Sequence, residues 1–320
     1  MASNSKPVAV AILDDYQGVA LRMADWSVLD GRAAITVFND HLANPDAVVE
    51  RLKGFEVLCV MRERTPLPRA TLERLPRLRL IVSTGPRNAA IDTAAAADLG
   101  IAVGFTGYTS APTIEMTWAL ILAASRHLVA ENLAFRRGGW QQSVGVGLAG
   151  KTLGVLGLGR IGGAVAEVGG LFGMKVLTWS PNMTPERAAE RGATAVSKEE
   201  LLRRSDVLTL HMVLSPKTRG LLGADDLALM KTSSLLVNTS RGPLVDEAAL
   251  VSALTSRRIA MAALDVFETE PLPADHPFRS LDNVLGTPHI GYVADDLYRT
   301  FHGDTVKAVD AWLTERAKSN

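Results

Sequence analysis

The sequence predicts an α/β protein that contains two doubly wound parallel sheets. Short aliphatic and β-branched runs alternate with helical stretches along its 320 residues, as in strands that are joined by crossover helices. A chain of this length can build two separate cores. The segment GLGRIG at 157–162 follows a predicted strand and opens a predicted helix, which is typical of the same fold class.

The first part of the chain contains five predicted strands and then a long helical pattern. That pattern runs from Thr113 to about Arg137, and Gly107 and Pro112 interrupt the sequence near its start. We therefore expect a domain boundary at about this point. The predicted strands are Val8–Leu13, Ala34–Phe38, Val57–Val60, Leu80–Ser83 and Ile101–Val103.

The second part of the chain continues the alternation of strands and helices. Thr184 stands directly before Pro185, and Ser197 stands three residues before Glu200, so Thr184 and Ser197 are predicted to cap helix starts. The predicted strands are Leu153–Leu156, Val176–Trp179, Val207–His211, Leu235–Asn238, Ala260–Leu264 and Val284–Leu285.

The closing segment of the chain predicts a discontinuous domain. Residues from Ala294 to Glu315 have apolar side chains at roughly helical spacing. We expect this helix to return to the first domain. The predicted domains are then residues 1–107 together with 293–320, and residues 108–292.

The glycine pattern indicates a dinucleotide site in the 108–292 domain. Gly157 would permit a tight turn, Gly159 would let the backbone approach a pyrophosphate, and Gly162 would let the helix pack closely on the strand. The phosphates would then lie at the free N–H groups of the helix start. The alternative is a glycine-rich turn in an unrelated α/β protein.

The amino-acid composition limits the classes of molecule that we expect this protein to bind. Lys+Arg and Asp+Glu both number 34, so the zero net charge gives no support for a nucleic acid or an anionic membrane as a partner. The single cysteine, Cys59, cannot form an intrachain disulfide. The apolar run at Met116–Ala124 is too short to span a bilayer. We expect a cytoplasmic protein with a small-molecule partner, and we assign no metal site.

Three polar side chains follow predicted strands of the second domain. Arg241, Glu270 and His289 lie in NTSRG at 238–242, LDVFETEP at 264–271 and TPHIG at 287–291. Each alone could be a surface charge or a loop side chain with an ordinary hydrogen bond. Carboxyl ends of strands in a wound sheet are where ligands bind, so together the three indicate an active site near the nicotinamide end of a bound cofactor.

With these motifs the chain resembles the D-isomer-specific 2-hydroxyacid dehydrogenases over nearly its whole length. The resemblance implies a Rossmann cofactor domain inserted in a flavodoxin-like substrate domain. It also implies that Arg241 clamps a substrate carboxylate and polarises the neighbouring carbonyl. His289 would be the acid and base at the substrate oxygen, and Glu270 would fix its tautomer and keep its acid form available near neutral pH.

The resemblance carries over further site residues one by one. Thr84 and Gly85 would hold the substrate carboxylate through their backbone. A homodimer through the cofactor domain is implied, with Trp118 and Trp140 as candidate interface residues. The implied cofactor contacts are Thr113, Gly157, Gly159, Arg160, Ile161, Gly162, Ser180, Met212, Thr218, Thr239, Asp265 and Gly291.

Two segments depart from the family pattern. Ser180 occupies the position of the acidic residue that normally binds the ribose 2′-OH of NAD. A hydroxyl does not repel a 2′-phosphate, yet Pro181 and Asn182 stand where NADP-dependent relatives place an arginine, and Arg187 is the nearest cation. The cofactor is therefore NAD or NADP, with the balance toward NADP.

The second departure lies in the substrate loop. Pro86-Arg87-Asn88 stands where the family usually has small and apolar residues. Arg87 and Asn88 therefore either contact a polar part of the substrate or lie on the surface.

Two rival functions remain open at this point. A formate- or phosphite-type dehydrogenase shares the Arg and His but handles a substrate without a 2-hydroxy carbon. A nucleotide-sensing binding protein, like the C-terminal-binding corepressors, retains a similar triad. The chain ends soon after its last predicted helix, so we expect no effector-binding extension of the kind that the long phosphoglycerate dehydrogenases carry.

Overall fold

The computed structural model describes residues 6–319, and the chain divides into two compact units. One unit comprises residues 1–109 and 293–320, and the other comprises residues 110–292. Each unit contains one sheet in which all strand pairs are parallel. The predicted α/β class with two parallel sheets is confirmed.

The first unit has a five-stranded sheet in the order β2-β1-β3-β4-β5, which is the flavodoxin-like order. All residues of its central strands β3 and β4 are buried, because helices cover a parallel sheet on both faces. The strands are β1 Val8–Ile12, β2 Ala33–Val37, β3 Val57–Val60, β4 Leu80–Ser83 and β5 Ala102–Phe105. The helices are α1 Ala20–Met23, α2 Pro45–Leu52, α3 Arg69–Leu72, α4 Thr93–Asp98 and, at the other end of the chain, α12 Asp295–Ser319.

Helix α12 buries a histidine in the core of the first unit. His302 is 2% exposed and lies 6.4 Å from Trp26 and 5.7 Å from Tyr298, centroid to centroid. Burial lowers the pKa of His302 below its ordinary value, and the charge of Asp15 only partly opposes this shift. The native fold therefore holds this imidazole in its neutral form.

The buried His302 predicts a loss of stability in mild acid. Below the ordinary histidine pKa the unfolded chain binds a proton that the folded chain does not, so stability falls as the pH falls. The contribution is at most about 1.4 kcal/mol per pH unit. Thermal unfolding between neutral and mildly acidic pH should give a flatter Tm profile for His302→Gln than for the wild type. Parallel profiles would contradict this assignment.

The second unit has a seven-stranded sheet in the order β12-β11-β10-β9-β6-β7-β8. From β6 the next strands, β7 and β8, are added on one side, and β9 to β12 are added on the other side. The gap between β6 and β9 is therefore the switch point at which ligands bind in such sheets. The strands are β6 Thr152–Leu156, β7 Lys175–Trp179, β8 Thr194–Ala195, β9 Val207–Leu210, β10 Leu235–Asn238, β11 Met261–Leu264 and β12 Val284–Gly286. The helices are α5 Ala111–Ser125, α6 Leu128–Arg136, α7 Arg160–Leu171, α8 Pro185–Ala189, α9 Lys198–Arg204, α10 Ala224–Leu229 and α11 Glu247–Thr255.

The long helix predicted from Thr113 to about Arg137 is two helices. His127 adopts a left-handed conformation with φ of 50° between α5 and α6. Its N–H bonds to the carbonyl of Ala124, three residues back, so the helical ladder ends there. The apolar periodicity continues across this break, which is why the sequence reads as one helix.

The two tryptophans proposed for an interface lie in different environments. Trp118 is 6% exposed and packs against Phe172, with ring centroids 4.9 Å apart, so its expected role at a surface is wrong. Trp140 is 73% exposed. A search of residues 6–319 finds no helix whose length and apolar character would suit a membrane span.

Candidate active site

The glycine turn between β6 and α7 has the shape of a phosphate cradle. Gly157 has φ of 100°, and a Cβ there would lie 2.8 Å from the His211 carbonyl oxygen. A Cβ at Gly162 would lie 2.0 Å from the Gly157 carbonyl oxygen, so the helix approaches the strand too closely for any side chain. A Cβ at Gly159 would meet nothing within 4 Å. The second glycine therefore faces open space, as close approach of a pyrophosphate requires.

Helix α7 begins at this open position. Arg160 and Ile161 are its first residues, and no side chain caps the start of the helix. The free N–H groups of an uncapped helix start attract anions. The residues present therefore fit a dinucleotide pyrophosphate.

The end of β7 carries neutral groups at the expected ribose position. Ser180 is half-buried, and its carbonyl accepts a hydrogen bond from the Met183 amide at 3.0 Å. Arg187 lies on α8 and donates from Nη1 to the Asn182 carbonyl at 3.0 Å. This loop, 180–184, contains no carboxylate.

The loop after β9 is held mainly by its own hydrogen bonds. The Met212 carbonyl accepts from the Ser240 hydroxyl at 2.7 Å, which ties this loop to the loop after β10. Thr218 donates to the Val213 carbonyl at 2.7 Å and accepts from the Ser215 amide at 2.8 Å. The Thr218 hydroxyl thus shapes the turn, and cofactor contact by Thr218 stays a prediction.

His289 and Glu270 form a hydrogen-bonded pair after β12 and β11. His289 Nδ1 lies 2.5 Å from Glu270 Oε2, and the Phe267 amide donates to the other Glu270 oxygen at 3.0 Å. His289 has φ of 53°, and its ring lies nearly perpendicular to that of Tyr292 with centroids 5.5 Å apart. Because a carboxylate only accepts, the proton lies on Nδ1 and leaves Nε2 for a ligand.

The environment of Glu270 favours its ionised form. Burial acts to raise the pKa of Glu270, but the hydrogen bond and charge of His289, the Phe267 amide and the charge of Arg241 together bring it below its ordinary value. The charge of Arg241 is the smallest of these contributions. Arg241, Glu270 and His289 follow β10, β11 and β12, which are neighbouring strands of one sheet.

Arg241 is positioned by the turn that follows β10. The Asn238 side chain donates to the Arg241 carbonyl at 2.9 Å and accepts from the Ser240 amide at 3.0 Å. Arg241 Nη1 donates to the Ser240 carbonyl at 2.7 Å. A Cβ at Gly242 would lie 2.0 Å from the Phe267 carbonyl carbon, so this turn packs directly on the segment that leads to Glu270.

Asp265 fastens the loop that carries His289. Its Oδ1 accepts from the Thr287 hydroxyl at 2.6 Å and the Ile290 amide at 2.8 Å, and its Oδ2 accepts from the Gly291 amide at 2.7 Å. Burial raises the pKa of Asp265 although these donors oppose the shift. A Cβ at Gly291 would lie 2.8 Å from Oδ2, so only glycine lets the loop approach this carboxylate.

The first unit places Thr84 and Gly85 directly after β4. The Thr84 amide donates to the Val60 carbonyl at 3.1 Å, and the Gly85 amide donates to Thr106 Oγ1 at 2.8 Å. A Cβ at Gly85 would lie 1.9 Å from Arg62 Nη1. A substrate carboxylate would have to replace one of these internal bonds, and contact with Thr84 and Gly85 stays a prediction.

The side chain of Asn88 is held inside the turn that follows β4 by hydrogen bonds within the first unit. Asn88 is 6% exposed, and its side chain bonds the Arg62 carbonyl, Ser83 Oγ and the Ala90 amide. Its role is to hold the turn. Arg87 is exposed.

The sequence interpretation missed several residues that organise the site. Asn238 sits within the NTSRG motif, but nothing in the pattern shows that its amide supports Arg241. Tyr292 directly follows TPHIG, and its contact with His289 depends on the loop conformation. Thr117 joins α5 to the end of β10, because its hydroxyl donates to the Thr113 carbonyl at 2.8 Å and lies 2.8 Å from the Thr239 hydroxyl. In the sequence, its position one helical turn after Thr113 is a signal that could have identified this role. Within residues 6–319 no group of three or more metal-ligating side chains occurs.

Comparison with known proteins gives one consistent family. The model of the "D-isomer specific 2-hydroxyacid dehydrogenase, NAD binding domain" matches residues 118–291. Glyoxylate reductase of Aeropyrum pernix is 46% identical over 228 residues, which is 68% of either chain. D-3-phosphoglycerate dehydrogenase of Methanocaldococcus jannaschii is 41% identical over 250 residues, which cover 77% of this chain but only 47% of that protein.

Solved structures agree with the sequence matches. Phosphoglycerate oxidoreductase from Vibrio cholerae O395 has a TM-score of 0.90 and 40% identity, and covers 98% of this chain and 100% of that one. D-lactate dehydrogenase from Aquifex aeolicus, solved with NAD and lactic acid, has a TM-score of 0.77 and 28% identity over 97% and 96% of the two chains.

Proposed function

Since the chain belongs to the D-isomer-specific 2-hydroxyacid dehydrogenases, we propose that it interconverts a small 2-oxo acid and the corresponding D-2-hydroxy acid with NAD or NADP. The observation that carries this proposal is the His289–Glu270 pair beside Arg241. All three follow strands of the sheet that also presents the glycine cradle. An acid–base pair, a cation and a dinucleotide cradle are the groups that such a reaction needs.

Arg241 binds and polarises the substrate in this proposal. Its guanidinium is a planar fork that matches a carboxylate with two parallel hydrogen bonds. The 2-oxo group adjoins that carboxylate, so the same charge draws electron density toward the carbonyl oxygen. The Asn238 and Gly242 contacts set the position of the fork.

His289 moves the proton. When bound, the nicotinamide supplies or takes up the hydride at the substrate carbon. His289 donates from Nε2 to the oxygen as negative charge develops there, and it takes the proton back in the oxidation. Glu270 Oε2 lies 2.5 Å from His289 Nδ1 and accepts its proton in a hydrogen bond, so the tautomer and the orientation of the ring are fixed. Asp265 holds the loop that carries the ring.

The proposed cofactor contacts belong to the second unit. Gly157, Gly159, Gly162 and the α7 start at Arg160 and Ile161 would hold the pyrophosphate, Ser180 the adenosine ribose and Met212 the adenine side. Thr113, Thr239, Asp265 and Gly291 would lie at the nicotinamide end. Residues 108–292 would form the cofactor domain, and residues 1–107 with 293–320 the substrate domain, in which Thr84 and Gly85 meet the substrate.

A cytoplasmic homodimer completes the proposal. Helix α6 has no buried residue and exposes Leu128, Val129, Leu133 and Phe135, each about half exposed or more. Trp140 follows in the next segment. An exposed apolar surface of this kind favours burial against another protein surface. The zero net charge gives no reason to propose a nucleic acid or a membrane as partner.

Ser180 predicts acceptance of NADP(H) at least comparable to NAD(H). Ser180→Asp should shift the ratio of kcat/KM toward NADH by about tenfold or more, because a carboxylate binds the ribose diol and repels a 2′-phosphate. Ser180→Asn is the matched control, since it adds bulk without charge. A wild type that uses NADH well and ignores NADPH would show that other groups bind the diol.

Steady-state turnover tests the proposed function. The purified protein should oxidise NADH or NADPH in the presence of at least one small 2-oxo acid. Turnover of formate or phosphite, without turnover of any 2-oxo acid, would favour the first rival. Tight nucleotide binding without turnover would favour a nucleotide-sensing protein. Fold alone does not separate these outcomes.

A further inference from the structure

The turn that carries Arg241 is tied to the neighbouring loop through the residue before the arginine. The Ser240 hydroxyl donates to the Met212 carbonyl at 2.7 Å. Strands β9 and β10 pair as far as Leu210 and Asn238. Met212 and Ser240 each lie two residues further along the chain. The hydroxyl therefore connects the two segments at a point where the backbone ladder has already ended.

The Arg241 side chain rests on this same residue. Arg241 Nη1 donates to the Ser240 carbonyl at 2.7 Å, so the peptide between Ser240 and Arg241 determines where the guanidinium lies. That peptide is planar and rigid, and its orientation follows that of Ser240. A hydrogen bond that fixes the Ser240 side chain therefore also acts on the position of the guanidinium fork.

Two other contacts hold the turn, but their roles differ from that of the Ser240 hydroxyl. The Asn238 side chain bonds the Ser240 amide and the Arg241 carbonyl, and all three residues belong to the turn itself, so these bonds fix its shape. Gly242 packs against the Phe267 carbonyl on the side of β11. The bond to the loop after β9 holds the opposite side of the turn, because β10 lies between β9 and β11.

We propose that Ser240 is a positioning residue, whose hydroxyl holds the Arg241 fork at the place where it binds the carboxylate of the 2-oxo acid. Since the clamp role of Arg241 belongs to the proposed function, the role of Ser240 rests on it. A carboxylate that takes two parallel hydrogen bonds needs an accurately placed guanidinium, because hydrogen bonds weaken steeply when their alignment is lost. Ser240 acts through Arg241 and binds no ligand itself.

Removal of the hydroxyl tests this role at saturating cofactor. Ser240→Ala should lower kcat/KM about fivefold for a 2-oxo acid that the wild type reduces, the scale of one net hydrogen bond. The Kd of the cofactor should stay at the wild-type value, because the glycine cradle keeps its contacts. Ser240→Thr keeps a hydroxyl and should restore kcat/KM. A weaker cofactor Kd with an unchanged kcat/KM would overturn the proposal, because the hydroxyl would then serve the loop after β9 alone.

A double-mutant cycle with Arg241→Lys shows whether Ser240 acts through the arginine. If the hydroxyl only positions the planar fork, it has no fork to position once lysine replaces the arginine. Ser240→Ala should then leave kcat/KM of the Arg241→Lys protein unchanged. The same loss in both backgrounds would overturn the proposal, because the two residues would act independently.

A serine at the other end of β10 provides the matched control. Ser234 directly precedes the strand and is fully buried, and its hydroxyl donates to the Lys231 carbonyl at 2.7 Å. Ser234→Ala removes an equivalent hydrogen bond, so it should lower Tm while leaving kcat/KM at the wild-type value. An equal loss of kcat/KM in Ser234→Ala and Ser240→Ala would overturn the proposal in favour of a general loosening of the strand.

The remaining outcomes also decide the question. An unchanged kcat/KM in folded Ser240→Ala overturns the inference and leaves the proposed function intact. If that variant does not fold, Ser240→Cys must lower kcat/KM instead, because a thiol is a weak donor. A wild type that reduces no 2-oxo acid overturns the proposed function, and the role of Ser240 falls with it.

Discussion

His289→Ala is expected to lower kcat for reduction of a 2-oxo acid by at least about a hundredfold, the usual contribution of a positioned general acid. The variant loses the imidazole that the Glu270 carboxylate orients, so the developing alkoxide must take its proton from water. Cofactor affinity should change little, because the glycine cradle lies at another part of the sheet. Stopped-flow or steady-state turnover, with cofactor Kd measured separately, checks both statements.

A second histidine–glutamate pair offers a control for His289→Ala. His276 Nε2 lies 3.1 Å from Glu247 Oε1 in the same unit, but the pair has no place in the proposed mechanism. His276→Ala should therefore leave kcat within a few-fold of the wild type, the small change expected away from the reacting groups. Near-normal turnover in His289→Ala would remove His289 from the mechanism.

Arg241→Lys is expected to raise KM for the 2-oxo acid and to lower kcat as well. Lysine keeps the charge but loses the planar fork, so the carboxylate is held by one donor and the carbonyl is polarised less. The expected loss in kcat/KM is about tenfold to a hundredfold, the scale of a hydrogen bond to a charged group. Kinetics at saturating cofactor separate the two constants.

Arg219 provides the corresponding control for the arginine substitution. It is exposed and pairs with Glu268 at 2.7 Å, and surface pairs of this type contribute little. Arg219→Lys should leave both KM and kcat near the wild-type values. If Arg241→Lys changed only the affinity for the cofactor, the carboxylate-clamp role would be wrong.

The strands were predictable because both sheets are parallel and buried. Val57–Val60 is apolar throughout and Leu235–Asn238 is apolar up to its last residue, and the structure places strands at the same bounds. The two-residue strand β8 was missed because two residues carry no periodicity. The break at His127 was missed because few residues other than glycine adopt a left-handed conformation and because the apolar pattern runs through this position.

The grouping of the three proposed catalytic residues could be predicted from the sequence for a topological reason. Arg241, Glu270 and His289 each follow a strand of one parallel sheet, so their approach to one another needs no side-chain detail. The Thr117–Thr239 hydrogen bond could not be predicted from the sequence, because it depends on how α5 packs on the end of β10. The role of Thr218 could not be predicted either, because its hydroxyl forms hydrogen bonds within its own turn.

Transfer of an isotopic label is the decisive test of the proposed hydride transfer. The protein would reduce a 2-oxo acid with NADH or NADPH that carries deuterium at the transferable position of the nicotinamide. The expected product is a D-2-hydroxy acid that carries the deuterium on its C2 carbon and takes its hydroxyl proton from the solvent through His289. An L-product, a product without deuterium at C2, or no product from any 2-oxo acid would contradict the proposed function.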